Sequence, residues 1–257
     1  MFQRYVAVGD SQTEGLYDIG PGGALRGWAD RLAERLAEVR PDLRYANLAV
    51  RGRLASQVRA EQVPAALVLR PDLVTVCAGM NDLLRPRADV ARVAADLDAM
   101  FGELTYAGAH VVAMTYPDIG RIMPVARYLV PRVIALNAGI RRAARRWGAT
   151  LVDAFPHPAV ADQRLYCVDR LHANAEGHAR FAAAVAHALG VPGSDDGWTT
   201  PLPPLPPRSR WQHAGTELKW LATFVAPWLG RNLLGRTSGA RPVAKRPALT
   251  PVVPART

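Results

Sequence analysis

Arg4-Tyr5-Val6-Ala7-Val8-Gly9-Asp10-Ser11-Gln12-Thr13-Glu14-Gly15 begins with a short, largely apolar run that stops at a glycine and gives way at once to polar turn chemistry. Such a run reads as a strand covered on both faces, the kind found in parallel sheets wrapped by helices. The same signature recurs at residues 44–48, 73–77, 110–115 and 150–154, which makes five strands in all. The stretches between them carry helical period. Trp28, Leu32, Leu36 and Val39 share one face, with Arg31, Glu34, Arg35 and Glu38 on the other, and residues 89–104 behave likewise. Pro131 interrupts 124–147, so the pattern predicts a break there and a main helix over 133–146; a last helix is predicted over 175–189. Strands alternating with helices predict an α/β domain built on a parallel sheet.

Working outward, the strand–helix alternation ends near residue 190, and composition places the domain boundary near 197. Ten of the 21 prolines fall in the last 60 residues, and Pro-Leu-Pro-Pro-Leu-Pro-Pro at 201–207 favours extended polyproline conformation. The predicted organisation is a catalytic domain over 1–197, a Pro-rich linker over 198–210, a Trp-rich amphipathic segment over 211–234 and a basic, disordered tail over 235–257. The net charge of +10 has the same asymmetry: residues 198–257 hold nine Lys/Arg against one Glu. The catalytic domain therefore has the ordinary charge of an enzyme, and no specific nucleic-acid binding is expected of it. Two cysteines, Cys77 and Cys167, are too few for a disulfide framework and suggest buried, reduced thiols, while no Cys or His spacing suggests a metal site. The N-terminus lacks the charged and apolar regions of a leader peptide, and no stretch is long enough for a spanning helix, so a cytoplasmic protein is expected.

Four clusters carry chemistry. Ser11 stands in a turn at the carboxyl end of the first strand, where open α/β sheets bind ligands. Its competing role is structural, because Ser11-x-x-Glu14 is also a helix capping box. Near the other end, Asp169-Arg170-Leu171-His172 spaces a carboxylate three residues before an imidazole. A serine hydroxyl becomes a good nucleophile when an imidazole takes its proton, and that imidazole works well when a third group fixes its tautomer. Asp169 and His172 suit those two tasks, although the pair alone also fits a surface contact. Asn47-Leu48-Ala49-Val50-Arg51-Gly52 follows the second strand and Ala78-Gly79-Met80-Asn81-Asp82 the third. Backbone N–H groups at Gly52 and the Asn81 amide could donate to a developing oxyanion, while turn formation accounts for the same residue types.

The order Ser11, Gly52, Asn81, His172, with the Gly-Asp-Ser opening and Asp169, resembles the SGNH (GDSL-type) hydrolase family over roughly residues 3–190. The resemblance implies a flavodoxin-like three-layer α/β/α sandwich and hydrolysis of a small acyl ester or thioester without metal or other cofactor. It implies Ser11 as nucleophile, His172 as base, Asp169 as its partner, and an oxyanion hole made by the Ser11 and Gly52 N–H groups with Asn81. Asp10 and Asp82 are supporting residues that shape their turns. Glu14 departs from the family's opening block. His110, His178 and His187 read as structural, and His157 lies in a loop that borders the site. Residues 116–128 are expected to form part of the substrate wall. An acyltransferase using the same acyl-enzyme, and a scaffold binding anionic surfaces through the basic tail, are the alternative readings. For the tail, Leu218, Leu221, Val225 and Leu229 beside Trp220, Phe224 and Trp228 make a broad apolar surface that either packs on the catalytic domain or lies at an interface; Arg231, Arg236, Arg241, Lys245 and Arg246, which follow, suit peripheral contact with an anionic membrane.

Overall fold

The first strand, β1 (Arg4–Gly9), ends where the chain passes its neighbour very closely: a Cβ on Gly9 would stand 2.3 Å from the Cys77 carbonyl oxygen, so glycine is required. The structure, a computed structural model, describes residues 2–206, 210–225 and 243–253. After β1 come the single-turn α1 (Ser11–Glu14), the amphipathic α2 (Gly27–Val39) and β2 (Arg44–Asn47). The short helices α3 (Ala55–Gln57) and α4 (Val63–Val68), joined by a wide turn, lead to β3 (Leu73–Cys77). Next are α5 (Met80–Leu83), α6 (Val90–Tyr106), β4 (His110–Met114), α7 (Ile119–Ile122), α8 (Val130–Trp147), β5 (Thr150–Val152) and α9 (Ala175–Ala188).

The strand order is β5-β4-β3-β1-β2-β6, and the first five strands are parallel. The chain steps from β1 out to β2, then reverses past β1 to β3 and continues to β4 and β5. Right-handed crossovers send helices of opposite steps to opposite faces, so α2 and α9 pack together in one layer and α6 and α8 in the other. This is the three-layer α/β/α sandwich. The reversal falls between β1 and β3, whose carboxyl ends open the crevice that holds the site.

The expected break before the main helix is present, but Pro131 lies inside the first turn of α8, which starts at Val130, three residues earlier than predicted. In the first turn its missing N–H would have had no helical partner anyway, and residues Pro124–Leu129 before it form a 3-10 segment.

A sixth strand, β6 (Arg246–Pro251), lies antiparallel beside β2 within the stretch expected to be disordered. Its sequence hides it, because two prolines and a mixture of exposed and half-buried side chains give no apolar alternation; an edge strand tolerates both. Lys245 anchors it, donating to the carbonyls of Leu25 and Arg26 and pairing with Asp30, while the Arg246 guanidinium lies 5.2 Å from the centre of the Tyr45 ring. Two of the basic residues read as free for a membrane are thus engaged in the fold. The chain leaves the hydrolase unit at Pro201 and re-enters it at Val243; the unit between, Leu202–Pro242, contains α10 (Arg210–Trp220) and a continuing turn to Val225. Val225's side chain and the positions read as amphipathic and basic over 226–242, including Trp228, Leu229, Arg231, Arg236 and Arg241, lie outside the described residues.

Candidate active site

Ser11 is the first residue of α1, and the helix is capped by its neighbour: Asp10 accepts the Gln12 N–H at 3.2 Å. The capping-box role for Ser11 is therefore displaced, and its hydroxyl is turned to another partner. That partner is His172, whose Nε2 lies 2.8 Å from Ser11 Oγ. The opposite ring nitrogen, Nδ1, lies 2.7 Å from Asp169 Oδ2. The three groups form an unbroken relay.

The carboxylate meets its histidine through a loop that closes on itself. Asp169 Oδ1 accepts the backbone N–H groups of Leu171 and His172, each at 3.0 Å, and Arg170 between them takes a left-handed φ of 55°. Burial pushes the Asp169 carboxyl up. The His172 hydrogen bond and charge, with the two N–H groups, outweigh it and hold Asp169 below the usual carboxylate range.

Gln12 ties this loop to the nucleophile turn. Its amide nitrogen donates to the Leu171 carbonyl at 2.8 Å and its oxygen accepts the Ala173 N–H at 3.3 Å, so it brackets His172 from both sides in the chain. Sequence reading missed it, because the two partners are about 160 residues away and nothing in local spacing announces them.

The predicted oxyanion donors gather at the same strand ends. Gly52 adopts a left-handed φ of 76°, and among the described residues neither its N–H nor that of Ser11 donates to a protein acceptor. The Asn81 amide donates to Asp10 at 3.2 Å and to the Arg53 carbonyl, next to Gly52, at 3.0 Å. Asp82 accepts the Ala55 N–H at 2.9 Å and so fixes the segment after Gly52. Asp10 is buried, and that burial raises its carboxyl to about 6 despite the lowering effect of the Gln12 N–H and the nearby His172 charge.

Glu14 is a brace. It is buried and accepts the Arg51 backbone N–H at 2.9 Å and its guanidinium at 2.7 Å, which holds the loop carrying Gly52 against α1. Gln62 clasps both the N–H and the carbonyl of Gly9, each at 2.8 Å, and Asn47 donates to the Thr13 carbonyl at 2.8 Å.

The remaining histidines take structural places. His178 is fully buried, accepts the Trp28 N–H, and is driven down to about 4 by burial, so it stays neutral. His110 contacts Thr150, and His187 lies in the last turn of α9. His157 packs edge-on against Trp198, itself a wall of the pocket beside Ser11. Tyr116, Pro117, Ile119, Ile122 and Met123 line that pocket, as expected for the segment after β4. Both cysteines are free thiols; burial raises Cys77 to about 12 and Cys167 to about 11. Among the described residues no group of three or more His, Cys, Asp or Glu is placed to hold a metal, and no helix is long and apolar enough to cross a membrane.

An α/β/α sheet with this serine, histidine and carboxylate at its switch point defines a serine hydrolase that acts on esters. The chain belongs to the GDSL-like lipase/acylhydrolase family, whose sequence model matches residues 7–180. Among solved structures, TesA is 25% identical, with a TM-score of 0.61 over 73% of this chain and 98% of that one. LAE5, an α/β hydrolase enzyme from the metagenome of Lake Arreo, is 23% identical, with a TM-score of 0.61 over 74% of this chain and 95% of its own. The acetylxylan esterase Axe2 from Geobacillus stearothermophilus is 19% identical, with a TM-score of 0.60 over 73% and 94%. No curated protein matches the sequence.

Proposed function

We propose that the chain hydrolyses carboxylic esters through an acyl intermediate on Ser11. The observation that carries this reading is the relay from Asp169 to His172 Nδ1 at 2.7 Å and from Nε2 to Ser11 Oγ at 2.8 Å. Ser11 Oγ attacks the ester carbonyl carbon while His172 Nε2 takes its proton, and Asp169 stabilises the imidazolium that results. The carbonyl oxygen becomes an oxyanion, received by the Ser11 and Gly52 N–H groups and by Asn81, which exchanges its longer bond, to Asp10, for this one. The tetrahedral intermediate collapses, the C–O bond to the alcohol breaks, and His172 returns the proton to the leaving oxygen. Water then repeats the sequence and releases the acid.

Mass spectrometry after exposure to a fluorophosphonate tests the first half. One adduct on Ser11, absent in His172→Ala, is expected; labelling elsewhere with Ser11 unmodified removes the assignment. Product analysis with an added alcohol acceptor separates hydrolysis from acyl transfer.

We further propose that the segment around α10 touches anionic lipid. Trp211 and Leu218 are exposed on it, and large apolar side chains with neighbouring basic groups suit a lipid interface. Full-length Trp211→Ser/Leu218→Ser should lose salt-sensitive sedimentation with phosphatidylserine vesicles. Unchanged sedimentation, or none in the unaltered chain, removes the proposal.

A further inference from the structure

The pocket beside Ser11 changes character with depth. At the catalytic groups it is polar, with Asp10, Gln12, Asn81, Arg170 and His172 around the serine. Away from them the wall is formed by Met114, Val152, Ala154, Phe181, Ala184 and Trp198. These follow β4 and β5 toward the edge of the parallel sheet, under α9.

The polar atoms of that inner wall are taken or covered. The Thr115 hydroxyl donates to Asp153 at 2.7 Å and accepts the Ala154 N–H at 2.9 Å, and the Tyr166 hydroxyl donates to the Val160 carbonyl at 2.9 Å. The Tyr116 hydroxyl and the Trp198 indole N–H are covered by protein atoms. A hydroxyl-rich group placed there would lose its hydrogen bonds to water without replacement, whereas hydrocarbon loses nothing.

The far end is built by residues beyond 180, where the family match stops. Phe181 and Ala184 lie on α9, and Trp198 lies in the 3-10 turn Gly197–Thr199. Trp198 is fixed from two sides: the His157 ring stands edge-on at 4.8 Å, and Arg180 donates to the carbonyls of Trp198 and Thr200.

We propose that this inner pocket is an acyl site for an unbranched, medium-length fatty chain, with Trp198 as the end stop that sets its length. The proposal rests on the ester-hydrolase reading above and names its substrate class. From β1 to β5 there are three inter-strand steps. At about 4.8 Å each they span roughly 14 Å, the reach of an extended chain of roughly ten to twelve carbons, whose bonds of about 1.5 Å zigzag and so advance about 1.25 Å each.

The test is kcat/KM of the full chain on p-nitrophenyl esters from acetate to palmitate, below their micellar concentrations. Each added methylene should raise it by up to about fourfold until the pocket is full, with an optimum at decanoate or dodecanoate and a fall beyond. Trp198→Ala should move that optimum to longer chains. A second readout needs no variant: n-octylboronic acid should inhibit acetate hydrolysis at least about tenfold more strongly than ethylboronic acid. A profile highest at acetate, equal inhibition by the two boronic acids, or an optimum that a folded Trp198→Ala leaves in place overturns the acyl site while ester hydrolysis stands. Failure of the unaltered chain to cleave any ester overturns the hydrolase reading instead.

Discussion

The nucleophile turn and the base loop each bury a carboxylate, yet the two shift in opposite directions. Asp10 is 3% exposed and rises to about 6, while Asp169, 6% exposed, is held low. Burial opposes charge in both, so the difference lies in the donors. Asp10 receives one backbone N–H and the Asn81 amide, both at 3.2 Å; Asp169 receives two backbone N–H groups at 3.0 Å and the imidazole at 2.7 Å. Only the second carboxylate is prepared to stay ionised beside a proton-accepting ring. The supports differ as well. The nucleophile turn is held by distant segments through Gln62, Asn47 and Arg51, whereas the base loop folds around its own carboxylate and reaches the turn through Ser11 and Gln12.

The strongest way to break the contrast is Ser11→Ala. Ester turnover should fall by about 10⁴-fold or more, while stability changes by less than about 1 kcal/mol, because the α1 cap belongs to Asp10. Retained turnover would remove Ser11 from the chemistry; a large loss of stability would restore it to a capping role.

Asp169→Asn follows. It disturbs the ring tautomer and the imidazolium, so kcat should drop about 10³–10⁴-fold with KM little changed. Kinetics like those of the unaltered enzyme would show that the short contact does not matter to the reaction.

Gln12→Leu keeps the volume and removes the strap between the two regions. We expect kcat to fall about 10–10²-fold, since a small displacement of a catalytic group costs that much, with fluorophosphonate labelling of Ser11 slowed in proportion. If stability drops but kcat does not, Gln12 merely fastens the fold.

The last contrast is in stability against pH and not in turnover. Unfolded, Asp10 ionises near 3.8; folded, it does so near 6. Its contribution is therefore complete below pH 4 and is lost as pH rises through 6, an effect on the order of 3 kcal/mol. Asp10→Asn retains an acceptor for the Gln12 N–H and removes the ionisation, so its urea-unfolding free energy relative to the unaltered chain should improve between pH 4 and 7. Asp169 has the opposite sign: its contribution is present above the ordinary carboxylate range and lost on acidification. A constant difference between Asp10→Asn and the unaltered chain across that window would mean that Asp10 is not a strained buried acid.

What the sequence determined by itself was periodicity and local chemistry. Five parallel strands, the helical period over 28–39 and 89–104, and Ser11, Asp169 and His172 as candidates all rest on residue types read within a few positions of one another. Asp169 and His172 are legible for the same reason, because one loop holds both. Tertiary structure decided whatever depends on partners remote in sequence. Ser11 reads equally well as cap or nucleophile until the fold gives the cap to Asp10 and brings His172 to its hydroxyl. Glu14 has no visible purpose until Arg51 arrives from the loop after β2, and Gln12 none until residues 171 and 173 reach it. The β6 strand is the extreme case: Arg246–Pro251 has no apolar alternation and carries two prolines, and the open edge of β2 and the buried acceptors around Asp30 make it a strand. Side-chain pattern records which face of an element is buried, but a backbone ladder at a sheet edge and a hydrogen bond across the fold leave no such pattern behind.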